Sequence, residues 1–360
     1  MTVYLEFINK YIFGAITPIL LLSAGIYLSF RLNFFHLRHP IRILKTILTK
    51  KEKGGTSPFR ALTVALAGTL GVGNIAGVAL ALISGGPGAI FWMWISALTA
   101  MIIKYAEIVL ALHYRKRKHG RENEYYGSAM YYIREGLGKG RLARGLAATF
   151  ALLCILNSIS MGSVIQVNVI AESLKGRLGI PALATGIIIT LLTAIVVFGG
   201  IRSISGLTVR LVPFMSAVYI LLSMYIILTN LGELPRTLSM IFTSAFRVES
   251  AFGGILGFFL SRSVRFGVSR GLLSNEAGCG TATIAHAESS TKSPALQGLW
   301  GIVEVFVDTI LLCSMTAFVI LISYDAIGGG ELNGIMLTIT AFEFTFGDAA
   351  GIIICAAILL

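Results

Sequence analysis

Ala67-Gly68-Thr69-Leu70-Gly71-Val72-Gly73-Asn74-Ile75-Ala76-Gly77 interrupts an otherwise apolar run at about 61–83. Each Gly costs a helix about 1 kcal/mol relative to Ala, so this density of Gly and polar residues predicts a break. A second interruption, Arg270-Gly271-Leu272-Leu273-Ser274-Asn275-Glu276-Ala277-Gly278-Cys279-Gly280, places an amide and a carboxylate inside the apolar run at about 266–287. Lipid offers no partner to loosened N–H and C=O groups, so such breaks persist only around a buried polar cavity. Two interrupted spans in corresponding positions point to the binding site of a secondary transporter. The plainer reading is helix packing, since Gly73-Asn74-Ile75-Ala76-Gly77 also fits GxxxG. The pairing of the breaks, and Glu276 in the second, favour a site.

Composition supports a lipid environment. Of 360 residues, 56% are hydrophobic and only 13% charged, about half the charge of a soluble domain. A hydrocarbon core takes roughly 20 apolar residues per helix. Near-continuous runs fall at about 12–30, 86–112, 147–171, 182–199, 208–229, 301–323 and 335–360. With the two interrupted runs, nine spans are expected. The segment 251–260 is too short to cross and reads as a helix on the outer face; Tyr125–Leu137 reads as an interfacial helix on the cytoplasmic side.

If the first span runs from outside to inside, about two-thirds of the 29 Lys and Arg fall in alternate, cytoplasmic loops, as the positive-inside rule requires. The net charge of +12 thus describes orientation, and a nucleic-acid partner is excluded because the base forms no single footprint. A multi-pass protein of the plasma membrane, amino terminus outside, is the expectation. The amino terminus carries Glu6, and its basic residues follow the apolar run, so that run reads as a retained span and not a signal peptide. Cys154, Cys279, Cys313 and Cys355 lie in apolar stretches and offer neither a disulfide framework nor a CxxC site.

Further polar residues sit within spans. Glu304 and Asp308 lie one turn apart; they are either functional acids or a brace, with Glu304 near water. Lys104 and Glu107, at i and i+3, are expected to neutralise one another. Glu276 is expected to accept from loosened backbone N–H groups, and Asn168 to bond a neighbouring helix. No HExxH spacing or third ligand accompanies His286 and Glu288. No Ser–His, Asp–Asp or metal-ligand spacing supports an enzyme.

The stretch Gly68-Thr69-Leu70-Gly71-Val72-Gly73-Asn74-Ile75-Ala76-Gly77-Val78-Ala79, followed by Gly85-Gly86-Pro87-Gly88-Ala89-Ile90-Phe91-Trp92-Met93-Trp94, closely resembles the alanine or glycine:cation symporter family. Met130-Tyr131-Tyr132-Ile133, Arg270 to Gly278, Ala285-His286-Ala287, Gln297-Gly298 and Val307-Asp308-Thr309 extend the resemblance from about residue 10 to the end. The resemblance implies an all-α polytopic membrane protein with a leucine-transporter-type 5+5 inverted repeat and one extra N-terminal helix. On that frame, residues 1–60 hold the extra helix and a basic linker and 61–230 the first five-helix repeat. Residues 231–360 begin the second repeat (core helices 6–8), which is expected to be incomplete.

The resemblance also implies Na⁺-coupled import of small neutral amino acids, alanine or glycine, with Na⁺ as coupling ion and no other cofactor. Substrate binding is expected at Thr69, Gly71, Gly73 and Asn74, through the Gly71–Asn74 amides, at Gln166, and at Ser274 and Asn275. The backbone carbonyls of Ala67 and Leu70 are expected to bind Na⁺. Members of the family are longer, so a transport-inactive fragment or remnant is the alternative reading, and an ion channel a further one.

Overall fold

The computed structural model describes residues 16–49, 57–117, 125–138, 140–246, 261–328 and 334–359, with the single residues 12, 14, 330 and 332. The segment 251–260, expected as an outer-face helix, lies outside the described residues. The chain is nearly all helical, and its one described sheet is the two-residue pair β1 (Lys116–Arg117) and β2 (Tyr125–Tyr126), antiparallel with Lys116 opposite Tyr126.

The first described helix, α1 (Thr17–Arg31), is followed by the short α2 (Phe35–Arg38) and by α3 (Pro40–Thr49). The first interrupted span is α4 (Pro58–Thr69) and α5 (Val72–Gly85), bent by 41° at the break. Ser57 starts α4 by accepting from the Arg60 N–H at 3.2 Å, with Pro58 at the first helical position. Then come α6 (Gly88–His113), the interfacial-length α7 (Ala129–Gly136) and α8 (Arg141–Ile159). A π-helical segment, Ser160–Ile165, joins α8 to α9 (Gln166–Leu178). α10 (Ala182–Phe198), α11 (Gly200–Thr229) and α12 (Leu234–Ala245) follow.

The second interrupted span is α13 (Arg262–Asn275) and α14 (Ala282–Ala287). It is followed by α15 (Pro294–Val305), a π-helical segment Phe306–Cys313 and α16 (Ser314–Ser323). α17 (Gly334–Phe346) and α18 (Asp348–Leu359) follow.

Among the described residues, four helices are long and apolar enough to cross a membrane, Gly88–His113, Arg141–Leu178, Ser203–Thr229 and Pro294–Ser323, and the bent α4–α5 pair makes a fifth. Thr17–Arg31 and Ala182–Phe198 are apolar but have 15 and 17 residues. The run expected as one span over 335–360 is instead two helices. Gly347 divides them at φ 72°, its N–H bonded to the Glu343 carbonyl at 2.8 Å. Hydropathy does not register such a turn; a left-handed Gly ending one helix does.

α6 is the central post, packed against α1, α12, α13, α14 and α15. Small residues make this possible. A side chain on Gly267 of α13 would lie 2.3 Å from the Ala89 carbonyl oxygen, and one on Gly271 would lie 2.1 Å from the Ser96 hydroxyl. By contrast, α8, α10 and α11 present Leu153, Leu183, Ile195 and Leu221 outward, as helices facing hydrocarbon do.

Candidate functional site

The two breaks meet. At the first, Leu70 is extended and Gly71 takes φ 128° and ψ −112°, a region in which only glycine is at ease. The Asn74 Oδ1 accepts the Gly71 N–H at 3.1 Å, so this amide is occupied from within. The leading N–H groups of α5, at Val72 and Gly73, have no preceding turn to bond. At the second break Glu276 adopts the left-handed region at φ 53° and its N–H closes on the Leu272 carbonyl at 2.9 Å. A non-glycine residue held there stores strain, and such residues concentrate at functional sites.

Between the breaks lies Asp308, fully buried in the π-helical segment after α15. Asn74 Nδ2 lies 2.8 Å from its main-chain carbonyl and 2.9 Å from its Oδ1. The Ser274 hydroxyl donates to Oδ2 at 2.8 Å and the Thr309 hydroxyl to the same oxygen at 2.7 Å. One carboxylate therefore ties both breaks together. Of the two readings of Asp308, a functional acid or a brace, the geometry places it in contact with Asn74 and Ser274, two of the residues expected at the site.

Thr69, Gly73, Gln166 and Ser274 line one cavity of about 100 Å³, together with Gly68, Arg270 and Glu276. For comparison, a cavity of about 150 Å³ in another protein holds benzene, so the space suits a molecule of a few heavy atoms. The other expected residues are not gathered there. Ala67, Leu70 and Gly71 face a second, wider cleft toward α9, α10 and α11, which Gln166 also lines. Asn74 is turned into the Asp308 network. Asn275 is fully buried, donating to the Gly271 carbonyl at 2.8 Å and the Thr309 hydroxyl at 3.1 Å and accepting from the Ala277 N–H at 3.0 Å.

Beneath the second break is a separate buried cluster. Lys104 does not lie in ion-pair contact with Glu107. Its Nζ sits 3.1 Å from Glu304 Oε1 and donates to the Asn275 carbonyl at 2.7 Å. Glu107 Oε1 instead accepts the Gly280 N–H at 3.1 Å, the backbone role expected of Glu276, whose carboxylate accepts from the Thr281 hydroxyl. Glu304, expected near water, is completely buried and also bonds His286 at 3.0 Å. His286 in turn meets Gln297 at 2.7 Å. Asn168, expected to bond a neighbouring helix, is exposed.

A family model described as the sodium:alanine symporter family matches residues 1–360. The chain belongs to that family. It is 42% identical over 351 residues to an uncharacterized transporter of Haemophilus influenzae, covering 96% of this chain and 75% of that one. It is 38% identical to the sodium/alanine symporter AgcS of Methanococcus maripaludis, over 93% of this chain and 74% of the relative. It is 35% identical to the probable sodium/glutamine symporter GlnT of Bacillus subtilis, over 98% and 72% respectively. The protein is thus a multi-pass membrane transporter for an amino acid with a cation, and not an enzyme.

Proposed function

We propose that this sodium:alanine symporter family member imports small neutral amino acids, alanine or glycine, with Na⁺ across the plasma membrane by alternating access. The observation that carries the reading is the small cavity to which both breaks contribute, lined by Thr69, Gly73, Gln166 and Ser274. The free N–H groups heading α5 suit a carboxylate, because a helix N-terminus carries a partial positive charge. Gln166 and Ser274 supply the polar atoms around an ammonium. Gly71, Asn74 and Asn275 act one step back, by holding the breaks open in the required shape. Na⁺ is drawn to the carbonyls of Ala67 and Leu70, and the Asp308 carboxylate supplies the negative charge nearest both breaks.

In this reading the helices from α4 to α11 form the first five-helix repeat (61–230) and those from α12 onward begin its inverted partner (231–360), after an extra helix and basic linker in residues 1–60. The amino terminus lies outside, as the distribution of Lys and Arg requires. One relative is named a probable sodium/glutamine symporter, and glutamine is larger than alanine, but the cavity volume favours alanine or glycine here.

The test is uptake of labelled alanine by proteoliposomes under an inward Na⁺ gradient, with glycine and glutamine as competitors. Uptake driven by Na⁺ and inhibited more by glycine than by glutamine is expected. Equal uptake under Na⁺ and K⁺ gradients would overturn the coupling, and stronger inhibition by glutamine would overturn the size argument.

A further inference from the structure

We infer that Lys104 is a resident cation: its ammonium permanently fills, at the second break, the kind of position that a mobile ion takes at the carbonyl end of a broken helix. The last carbonyls of a helix carry about half a negative charge and lack partners of their own. Three carbonyls near the end of α13 have partners from outside the regular helix ladder or at its close. The Gly271 carbonyl accepts from the Asn275 side chain, that of Leu272 from the Glu276 N–H, and that of Asn275 from Lys104 Nζ at 2.7 Å. Glu304, 3.1 Å from the ammonium, completes a cation site made of one carbonyl and one carboxylate. Both side chains are fully buried.

The other break is different. Among the described residues no Lys or Arg side chain bonds the carbonyls of Ala67 or Leu70 at the end of α4. One carbonyl end is therefore closed by a tethered charge and the other is left for a mobile one. The packing preserves the arrangement. A side chain on Gly301 would meet the Lys104 stem at 3.2 Å and Ile108 at 2.4 Å, so Gly301 lets α15 bring Glu304 close to α6. A buried ion pair alone is a poor stabiliser, since its desolvation cost rivals its attraction. Its use here is to satisfy the Asn275 carbonyl and hold the loop 276–281 with the help of Glu107 on the Gly280 N–H.

The inference rests on the reading of the protein as a cation symporter, but its test does not require transport. The full chain, Lys104→Gln and the double variant Lys104→Gln/Glu304→Gln are purified in detergent. Their melting is then followed in choline chloride and in sodium chloride of equal ionic strength. Losing the ammonium leaves Glu304 and the Asn275 carbonyl as an empty cation site, which Na⁺ can fill and so stabilise the fold. The single variant is expected to melt lowest in choline and to gain about twofold or more from Na⁺ compared with the unsubstituted chain. The double variant, with no carboxylate left, is expected to show no more Na⁺ gain than the unsubstituted chain.

Equal Na⁺ gains in the single and double variants overturn the assignment, as does a single variant that fails to fold in every salt. An unsubstituted chain whose melting ignores Na⁺ counts against sodium binding at the first break. It leaves the Lys104 assignment to be decided by the difference between the two variants.

Discussion

Asn74 donates to Asp308 and accepts from Gly71, so its side chain is committed at both ends within the protein. The residue that can respond to an ion is then Asp308, whose carboxylate is held by neutral donors only, at Asn74, Ser274 and Thr309. Asp308→Asn preserves the shape, and the two hydroxyls can rotate to accept. The variant should therefore fold. A hydrogen bond or contact to a charged group is worth about 1.5–3 kcal/mol, so the Na⁺ concentration for half-maximal uptake should rise about 10- to 100-fold. Melting within a few degrees of the unsubstituted chain, together with that rise, is the expected result. An unchanged Na⁺ dependence removes Asp308 from coupling. Local reasoning did not reach this arrangement. Lys104 and Glu107 are three residues apart, and spacing alone pairs them, whereas the acid that meets the ammonium is Glu304, two hundred residues away. Charge partners chosen by packing are invisible to a spacing rule.

At the scale of elements, the breaks were legible because Gly and Asn weaken a helix locally and leave a mark in sequence. The π-helical segments Ser160–Ile165 and Phe306–Cys313 were not, although one leads directly into Gln166 and the other carries Asp308. Inserting one extra residue per turn needs no special residue type, so apolar runs through both segments read as ordinary spans. The stripe of Ser158, Ser160, Gly162 and Ser163 was the available hint. The division at Gly347 escapes hydropathy for a different reason: Gly347-Asp348 is one short polar step in a run that is apolar again from Ala349 onward. Close helix contact gives a sharper prediction. Gly267→Ala places a methyl 2.3 Å from the Ala89 carbonyl and 2.6 Å from the Trp92 side chain. Such overpacking costs about 1–3 kcal/mol and should push α13 off α6. Gly186→Ala, where nothing lies within 4 Å, is the control and should cost nothing. Thermal unfolding in detergent distinguishes them, and equal melting of the two variants would show that α13 is free to move away from α6 at little cost.

For the whole molecule, the polar contacts sort the helices into two sets. α4–α5, α6, α13–α14 and α15–α16 are bound to one another by Lys104, Glu107, Asn74 and Asp308. Arg115, just beyond α6, adds a clasp by donating to the carbonyls of Ala287 and Ser289 after α14 at 3.0 and 2.6 Å. Toward α8 and α9 no comparable buried ion pair or network is present among the described residues, and the cavity lies on that seam, between Ser274 and Gln166. On the proposed alternating-access reading, the first set would move against α8 and α9, and the interface along the cavity would be the one that slides. Spin labels can test the division. Leu110 on α6, Ile284 on α14 and Leu146 on α8 are all exposed, and Cys279, the exposed native cysteine, and the half-buried Cys154 would first be replaced by serine. Adding Na⁺ and alanine should shift the Leu110–Leu146 distance distribution and leave that of Leu110–Ile284 in place. If the pair within the first set moves as much as the pair across the seam, the buried polar contacts do not define a rigid unit, and the site must open by bending at the breaks themselves.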